Sequence, residues 1–175
     1  PTIYIKLQKG VDPKYRAVVI DALNAWIDGL NTKVGSPNFT YVLKDTLGKR
    51  ESADITITLK KNTGTILGST TIWSSNGVIT KVEITLATQN AIGIPLDEGD
   101  VFTIAAHEIG HALGLGHSND DGNPPVDLMA PTFDFTGSNN VKILPSDLDL
   151  NAVLAIYGSD GFQPPNPNPG GTYPP

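Results

Sequence analysis

Residues 107–117 read His-Glu-Ile-Gly-His-Ala-Leu-Gly-Leu-Gly-His and contain all three histidines of this 175-residue chain. The stretch follows the pattern H-E-x-x-H-x-x-G-x-x-H. Histidines that are only scattered surface residues have no reason to gather at this spacing. The pattern therefore indicates that the three imidazoles act together.

The four-residue interval between His107 and His111 predicts two imidazoles on one face of a helix. Residues four apart on a helix have Cβ atoms about 5–6 Å apart, so both rings can reach one Zn²⁺ at about 2.0–2.1 Å. Glu108 follows the first histidine and therefore points about 100° around the helix axis. From there its carboxylate can reach a water bound to the metal without being a ligand itself.

Gly114 and His117 extend the two-histidine pattern to three ligands. A helix that must end and turn sharply needs a residue with φ > 0, which glycine adopts without steric cost. Gly114 predicts such a turn, which returns His117 to the metal from a second direction. Three protein ligands with a fourth position open to water form the arrangement of a catalytic zinc site.

Composition limits the classes of protein to which the chain can belong. A length of 175 residues, with 39% hydrophobic and 17% charged residues, fits one soluble domain with a substantial core. The net charge of -6 and the pI of 4.8 disfavour nucleic acid and anionic membranes as partners, and no apolar run is long enough for a membrane span. Cysteine is absent, which excludes disulfides. Because the chain starts at Pro1, we expect a mature or trimmed part of a longer protein.

A long helix and several strands are predicted before the histidine stretch. Asp12-Pro13 supplies an N-cap and a first-turn proline, and apolar residues at helical spacing as far as Leu30 predict a helix over residues 13–30. Asn76-Gly77 predicts a hairpin turn. Strand patterns occupy residues 3–7, 39–43, 54–59, 69–74 and 78–87.

Two further helices are predicted at and after the histidine stretch. Asp100 is expected to cap the helix that carries the histidines, and residues 118–140 are expected to be irregular. Ser146, with Asp149 three residues later, predicts a capping box for a last helix that stops at Gly158.

The composition changes abruptly after residue 158. Residues 159–175 are rich in proline, glycine and asparagine and cannot continue a helix or a central strand. We therefore place the folded domain at residues 1–158. Residues 159–175 are expected to be a floppy tail or a linker to another domain.

Residues outside the histidine stretch resemble a known family. Ser118 follows the third histidine, Leu128-Met129-Ala130-Pro131 resembles a Met-turn, and residues 149–158 end in Ile-Tyr-Gly. Together with H-E-x-x-H-x-x-G-x-x-H, the metzincin zinc signature, these features resemble the catalytic domain of the matrixins, the matrix metalloproteinase family. The resemblance extends from about residue 3 to residue 158.

The resemblance implies an α+β fold, that of the metzincin catalytic domain. This fold has a twisted, mostly parallel five-stranded sheet with an antiparallel edge strand, a backing helix, an active-site helix and a C-terminal helix. The resemblance also implies that Met129 forms an apolar floor beneath the metal without coordinating it. It implies a substrate pocket beside the zinc that is shaped by Leu113, Pro131 and Phe133.

The function implied by the resemblance is that of a secreted zinc metalloendopeptidase. One catalytic Zn²⁺ would be held by His107, His111 and His117, while Glu108 would act as general base and pass its proton to the leaving amine. A sheet-edge strand near residues 66–73 would pair with an extended protein or peptide substrate. We expect an extracellular monomer with no nucleic-acid partner.

The chain also departs from the family pattern. The first metal uses all three histidines, so a second, structural zinc is not expected. Asp120, Asp121 and Asp127 could bind Ca²⁺, although exposed turn residues are the favoured interpretation. These departures favour a compact, non-animal member of the family.

Two alternatives to a matrixin peptidase are a different metzincin branch and a protein of another class. The other branch comprises the astacins and serralysins, which place a tyrosine ligand two residues after the Met-turn methionine; this chain has Pro131 there, which argues against them. The alternative from another class is a catalytically weak, zinc-bearing peptide-binding module. The intact Glu108 argues against it, because a non-catalytic site has no need of that carboxylate.

Overall fold

Three helices and five strands form in residues 2–7, 12–44, 52–61, 64–119, 127–131 and 140–162, the part of the chain that the computed structural model describes. In chain order they are β1 (Thr2–Leu7), α1 (Pro13–Val34), β2 (Thr40–Lys44), β3 (Ile55–Lys60), β4 (Gly68–Ser75), β5 (Val78–Ala87), α2 (Glu98–Ala112) and α3 (Asp147–Tyr157). Each strand agrees with its prediction to within one residue at either end. None of the described helices is long and apolar enough to cross a membrane.

The five strands form one sheet in the order β2-β1-β3-β5-β4. The pairs β1–β2, β1–β3 and β3–β5 are parallel, whereas β4 is antiparallel to β5. The predicted α+β fold, with a mostly parallel sheet and an antiparallel edge strand, is therefore confirmed. The edge strand is β4, which covers most of the segment predicted to pair with substrate.

The hairpin between β4 and β5 turns at Asn76-Gly77, as predicted. Asn76 has φ 52° and Gly77 has φ 77°, and a two-residue turn with positive φ at both central positions matches the twist of the flanking strands. The pairing shifts register between Trp73 and Ser74, which marks a β-bulge near the turn. Local turn chemistry thus sets the position of the edge strand.

One face of the sheet packs against α1 and α2. Alternate residues of the central strands are buried on this face, including Leu7, Ile57 and Ile84, as the period-two pattern predicts. Trp26 of α1 is fully buried and donates a hydrogen bond from Nε1 to the carbonyl oxygen of Ala106, 2.9 Å away. This bond fixes the backing helix against the helix that carries the histidines.

The long helix α1 begins as predicted and ends later than predicted. Asp12 caps it by accepting a hydrogen bond from the backbone N–H of Lys14 at 2.9 Å. The helix continues to Val34 and ends at Gly35, which has φ 69°. The predicted end at Leu30 was wrong because the apolar stripe stops there, whereas a left-handed glycine cap closes the helix one turn later.

The cap of α2 is Asp97, so the predicted cap at Asp100 was wrong. Asp97 has an extended backbone, and its Oδ1 accepts a hydrogen bond from the N–H of Asp100 at 2.8 Å. Both residues are good caps by type, but Asp100 already lies in the first turn. A second first-turn donor, the N–H of Gly99, binds Oδ1 of Asn140 at 2.8 Å. The helix start is thus tied to a distant part of the chain.

The predicted capping box of α3 is confirmed. The backbone N–H of Asp149 donates to Oγ of Ser146 at 3.2 Å, and the N–H of Ser146 donates to Oδ2 of Asp149 at 2.8 Å. The helix ends at Tyr157, directly before Gly158, which has φ 75°. Both ends of this helix therefore follow from local sequence.

Phe162, which lies beyond the domain boundary predicted at residue 158, is buried. It is 5% exposed. Its ring packs edge-on against Phe39 and Tyr157, with centroids 5.0 and 5.2 Å apart. The segment predicted as a tail therefore starts with packed residues, while residues 163–175 lie outside the described part of the chain.

Candidate active site

The three histidines converge at one point beside the C-terminal half of α2. Nε2 of His111 lies 3.0 Å from Nε2 of His107 and 3.2 Å from Nε2 of His117. The first two histidines stand on α2, one turn apart, and the third comes from the segment after the helix. The three predicted ligands are thus brought together, as a cluster with the spacing needed to hold one metal ion.

Hydrogen bonds at the other ring nitrogens orient two of these imidazoles. Nδ1 of His107 lies 2.7 Å from the carbonyl oxygen of Leu128, and Nδ1 of His111 lies 2.8 Å from that of Leu115. A carbonyl oxygen can only accept, so each Nδ1 carries the proton and donates. In a neutral ring Nε2 then presents a lone pair. Such nitrogens repel one another at about 3 Å unless a cation lies between them, so this donor set fits a zinc ion.

Burial keeps His107 neutral. Its ring is largely removed from water, which lowers its pKa to about 4, although the hydrogen bond to Leu128 opposes the shift. Burial and the neighbouring His111 also lower the pKa of His117. Neutral imidazole is the form that binds metals. Both shifts favour the protonation state that a metal needs.

The chain reversal after α2 depends on Gly114. This residue has φ 98°, a conformation that side chains rarely adopt. The N–H of Gly114 donates to the carbonyl of His111 at 2.9 Å, and the N–H of Leu115 donates to that of Gly110 at 3.0 Å. These bonds close the helix and direct the chain back toward the cluster, as predicted, so that His117 reaches it.

Met129 lies in a turn that packs directly against α2. The side chain is buried, and a Cβ placed on Gly110 would lie 2.5 Å from its sulfur. The backbone N–H of Met129 donates to Oδ1 of Asp127 at 2.7 Å, and its carbonyl accepts from the N–H of Ser118 at 2.7 Å. The turn is therefore held on one side by α2 and on the other by the residue after the third histidine.

Glu108 is buried beside the histidine cluster and contacts the edge strand. It is 6% exposed, and its Oε2 accepts a hydrogen bond from Oγ1 of Thr70 in β4 at 2.5 Å. Burial raises the pKa of Glu108, whereas Thr70 and His111 act in the opposite direction. The predicted general base is thus largely shielded from water at the junction of α2 and β4.

The residues predicted to shape a substrate pocket fall into different environments. Leu113 is buried at the end of α2, where it borders a small apolar cavity together with Trp26 and Ile109. Pro131 is exposed. Phe133 lies outside the described residues.

Of the three aspartates that could bind Ca²⁺, only Asp127 lies in the described part of the chain. Its Oδ1 accepts a hydrogen bond from the backbone N–H of Met129. Asp120 and Asp121 lie outside the described residues.

Comparison with known proteins agrees with this geometry. Residues 8–158 match the family model of the matrixins, the M10 peptidases. The chain belongs to the matrixin family. The match covers α1, the whole histidine cluster and α3, so the resemblance expected from the sequence is confirmed.

Several matrixins share part of the sequence at moderate identity. Matrix metalloproteinase-16 of Rattus norvegicus is 45% identical over 79 residues, which are 45% of this chain and 12% of that protein. Neutrophil collagenase of Homo sapiens is 44% identical over 71 residues, which are 39% of this chain and 14% of that protein. Matrix metalloproteinase-18 of Xenopus laevis is 44% identical over 71 residues, 39% of this chain and 14% of that protein. The alignments thus span a small part of these relatives.

Two site residues were missed by sequence reasoning, Thr70 and Gly68. Both lie in β4, and Thr70 is separated from Glu108 by 38 positions in sequence. The strand was predicted, but an alternating strand pattern does not tell which of its residues faces a catalytic helix. Only the pairing of β4 with β5 and the packing of α2 place these residues at the site.

Proposed function

We propose that this chain is the catalytic domain of a zinc-dependent endopeptidase that cuts peptide bonds in extended protein substrates. The observation that carries the proposal is the convergence of three Nε2 atoms, two of them within 3.2 Å of the third, beside a buried carboxylate. Family membership supports the same class of reaction.

In this proposal His107, His111 and His117 hold the metal through Nε2. When bound, zinc supplies a Lewis acid for the scissile carbonyl and lowers the pKa of a water molecule. The hydrogen bonds from Nδ1 of the two helical histidines to backbone carbonyls keep their rings in the ligating orientation. Met129 supports the site from the turn packed beneath α2.

Glu108 is proposed as the general base. A carboxylate oxygen accepts the proton of the attacking water and then delivers it to the nitrogen of the leaving amine. The burial of Glu108 supports this role, because a shielded carboxylate exchanges its proton with the substrate rather than with bulk water.

The edge strand β4 is proposed as the platform for substrate. Its inner side pairs with β5, and it is the last strand of the described sheet. An extended peptide that adds to this edge through main-chain hydrogen bonds gains affinity with little sequence preference. Pro131 and Phe133 are proposed to contribute specificity beside the zinc. Leu113, which is buried against the cavity that Trp26 and Ile109 also line, is proposed to contribute only through its packing at the end of α2.

Two further proposals concern the whole protein. We place it outside the cell, as a monomer, in line with its family. We interpret residues 159–175 as a linker or tail, of which the first part packs on the domain.

The deciding experiment measures cleavage of a quenched generic peptide by the zinc-loaded protein. We expect turnover that a chelator removes and added zinc restores. Glu108→Ala, compared with the surface control Glu83→Ala, should remove turnover while metal analysis still finds one zinc per chain. A wild-type chain that binds zinc and the peptide without cleaving it would instead be a peptide-binding module.

A further inference from the structure

The edge strand β4 and the helix α2 meet at the side chain of Glu108. Oγ1 of Thr70 lies 2.5 Å from Oε2 of Glu108 and 3.1 Å from the carbonyl oxygen of the same residue. Both partners can only accept when the carboxylate is ionised, so the hydroxyl of Thr70 is the donor. The shorter contact, to a charged oxygen, is the stronger of the two.

The close approach of the strand depends on Gly68, two residues before Thr70 and on the same face of β4. A Cβ at Gly68 would lie 2.5 Å from Oε1 and 2.8 Å from Cγ of Glu108, and 2.8 Å from Cγ2 of Ile104. No side chain larger than hydrogen fits there without displacement. The absence of a side chain at Gly68 therefore leaves the space that Oε1 occupies, and Thr70 of the same strand binds Oε2.

The contact limits the conformations open to Glu108. A glutamate side chain has three rotatable bonds, and a general base must present its oxygen within hydrogen-bond reach of the proton that it removes. A small misplacement at such a site is costly, because catalysis depends on alignment as well as on distance. The hydrogen bond from Thr70 favours one orientation of the carboxylate, in the space that Gly68 leaves open.

We propose that Thr70 is a positioning residue for the general base, which it aligns through the hydrogen bond from Oγ1 to Oε2 of Glu108. The proposal rests on the proposed function. It adds that the strand offered to the substrate also orients the base. The position of β4 and the orientation of Glu108 are then coupled, because Thr70 lies in this strand and donates the hydrogen bond that orients the carboxylate.

The test compares Thr70→Val with Thr70→Ser in the zinc-loaded protein. Valine keeps the shape of threonine and removes the donor, whereas serine keeps the donor. We expect Thr70→Val to lower kcat by about tenfold or more with KM within about twofold, since alignment and not substrate affinity is lost. Thr70→Ser should recover most of the lost kcat. Thr58→Val, in the central strand β3, is the matched control and should leave both constants unchanged.

A second readout does not depend on activity. Melting temperatures of the zinc-loaded wild type, Thr70→Val, Glu108→Ala and the double variant form a double-mutant cycle. If Thr70 acts through the carboxylate of Glu108, the shift caused by Thr70→Val should be smaller in the Glu108→Ala background, where only the contact of Oγ1 with the backbone carbonyl of residue 108 remains. Zinc content should remain at one per chain in all four proteins.

Each possible result of these measurements either supports or contradicts the positioning role of Thr70. Coupling in the cycle, together with a kcat loss that serine rescues, supports the positioning role. Equal shifts in both backgrounds, an unchanged kcat in Thr70→Val, or a kcat loss that only follows loss of zinc would overturn it. A wild-type protein that binds zinc but cleaves no peptide overturns the proposed function and the positioning role with it, whereas an active wild type with no coupling overturns only the latter.

Discussion

Nδ1 of His107 donates a hydrogen bond to the carbonyl oxygen of Leu128, and the two atoms are 2.7 Å apart. The bond joins α2 to the turn that carries Met129, and its two partners, His107 and Leu128, are both buried. It fixes the tautomer and the orientation of the first histidine. The metal cluster therefore depends on residues 127–131 although none of their side chains belongs to the cluster.

Gly110→Ala should weaken zinc binding through this turn. The added Cβ would lie 2.5 Å from the sulfur of Met129 and 3.0 Å from the ring of Trp26. Alanine favours a helix by about 1 kcal/mol over glycine, but overpacking costs about 1–3 kcal/mol, so we expect a net loss of stability. Since Met129 has to move, the turn and the Leu128 carbonyl should shift with it.

Two measurements check the effect of Gly110→Ala. The dissociation constant for zinc should rise and the melting temperature should fall by a few degrees. Gly116→Ala is the control for stability, because a Cβ at that glycine meets nothing within 4 Å. An unchanged zinc affinity in Gly110→Ala would show that the turn does not support the metal site.

Glu108→Ala should separate metal binding from catalysis. The substitution removes the proposed base and leaves the three Nε2 atoms in place. General-base catalysis contributes about 10²–10⁴-fold, so we expect kcat to fall by at least about 100-fold while one zinc per chain remains. Turnover near that of wild type in a zinc-containing variant would rule out Glu108 as the base.

Much of the fold and the ligand cluster could be predicted from sequence because their signals are local. Three such features are the start of α1, the Asn76-Gly77 turn and the capping box at Ser146. Each depends on residues that are close together in the sequence. The three histidines likewise lie within one helix and the turn that follows it. For such features, spacing along the chain determines geometry.

The features that were missed depend on distant contacts. Asp97 and Asp100 are equally suitable as caps by residue type, so local sequence does not tell which one starts α2; in the structure the first turn also binds the distant Asn140 through the N–H of Gly99. Thr70 meets Glu108 only because a sheet edge and a helix pack together. Phe162 lies in a segment whose composition predicts a tail, and its burial depends on the ring of Phe39.

Ser146→Ala should destabilise the domain without affecting the site chemistry directly. The substitution removes Oγ, which accepts from the N–H of Asp149 at 3.2 Å and donates to Oδ2 of the same residue at 2.9 Å. Loss of an N-cap side chain costs about 0.5–2 kcal/mol. Urea unfolding should show a lower midpoint, whereas Ser75→Ala, at an exposed strand end, should not. Equal midpoints for the two variants would mean that α3 does not depend on its capping box.

Truncation should place the end of the folded domain at Phe162 rather than at residue 158. A chain of residues 1–158 lacks the ring that packs against Phe39 and Tyr157, and also Ser159, whose carbonyl accepts a hydrogen bond from Asn38 at 2.9 Å. Removal of a buried phenylalanine costs about 3–5 kcal/mol. We therefore expect residues 1–158 to melt well below residues 1–162, with Phe162→Ala in the full chain reproducing most of the difference. If both truncated chains melt at the same temperature, the packing of Phe162 contributes nothing and the domain ends at residue 158.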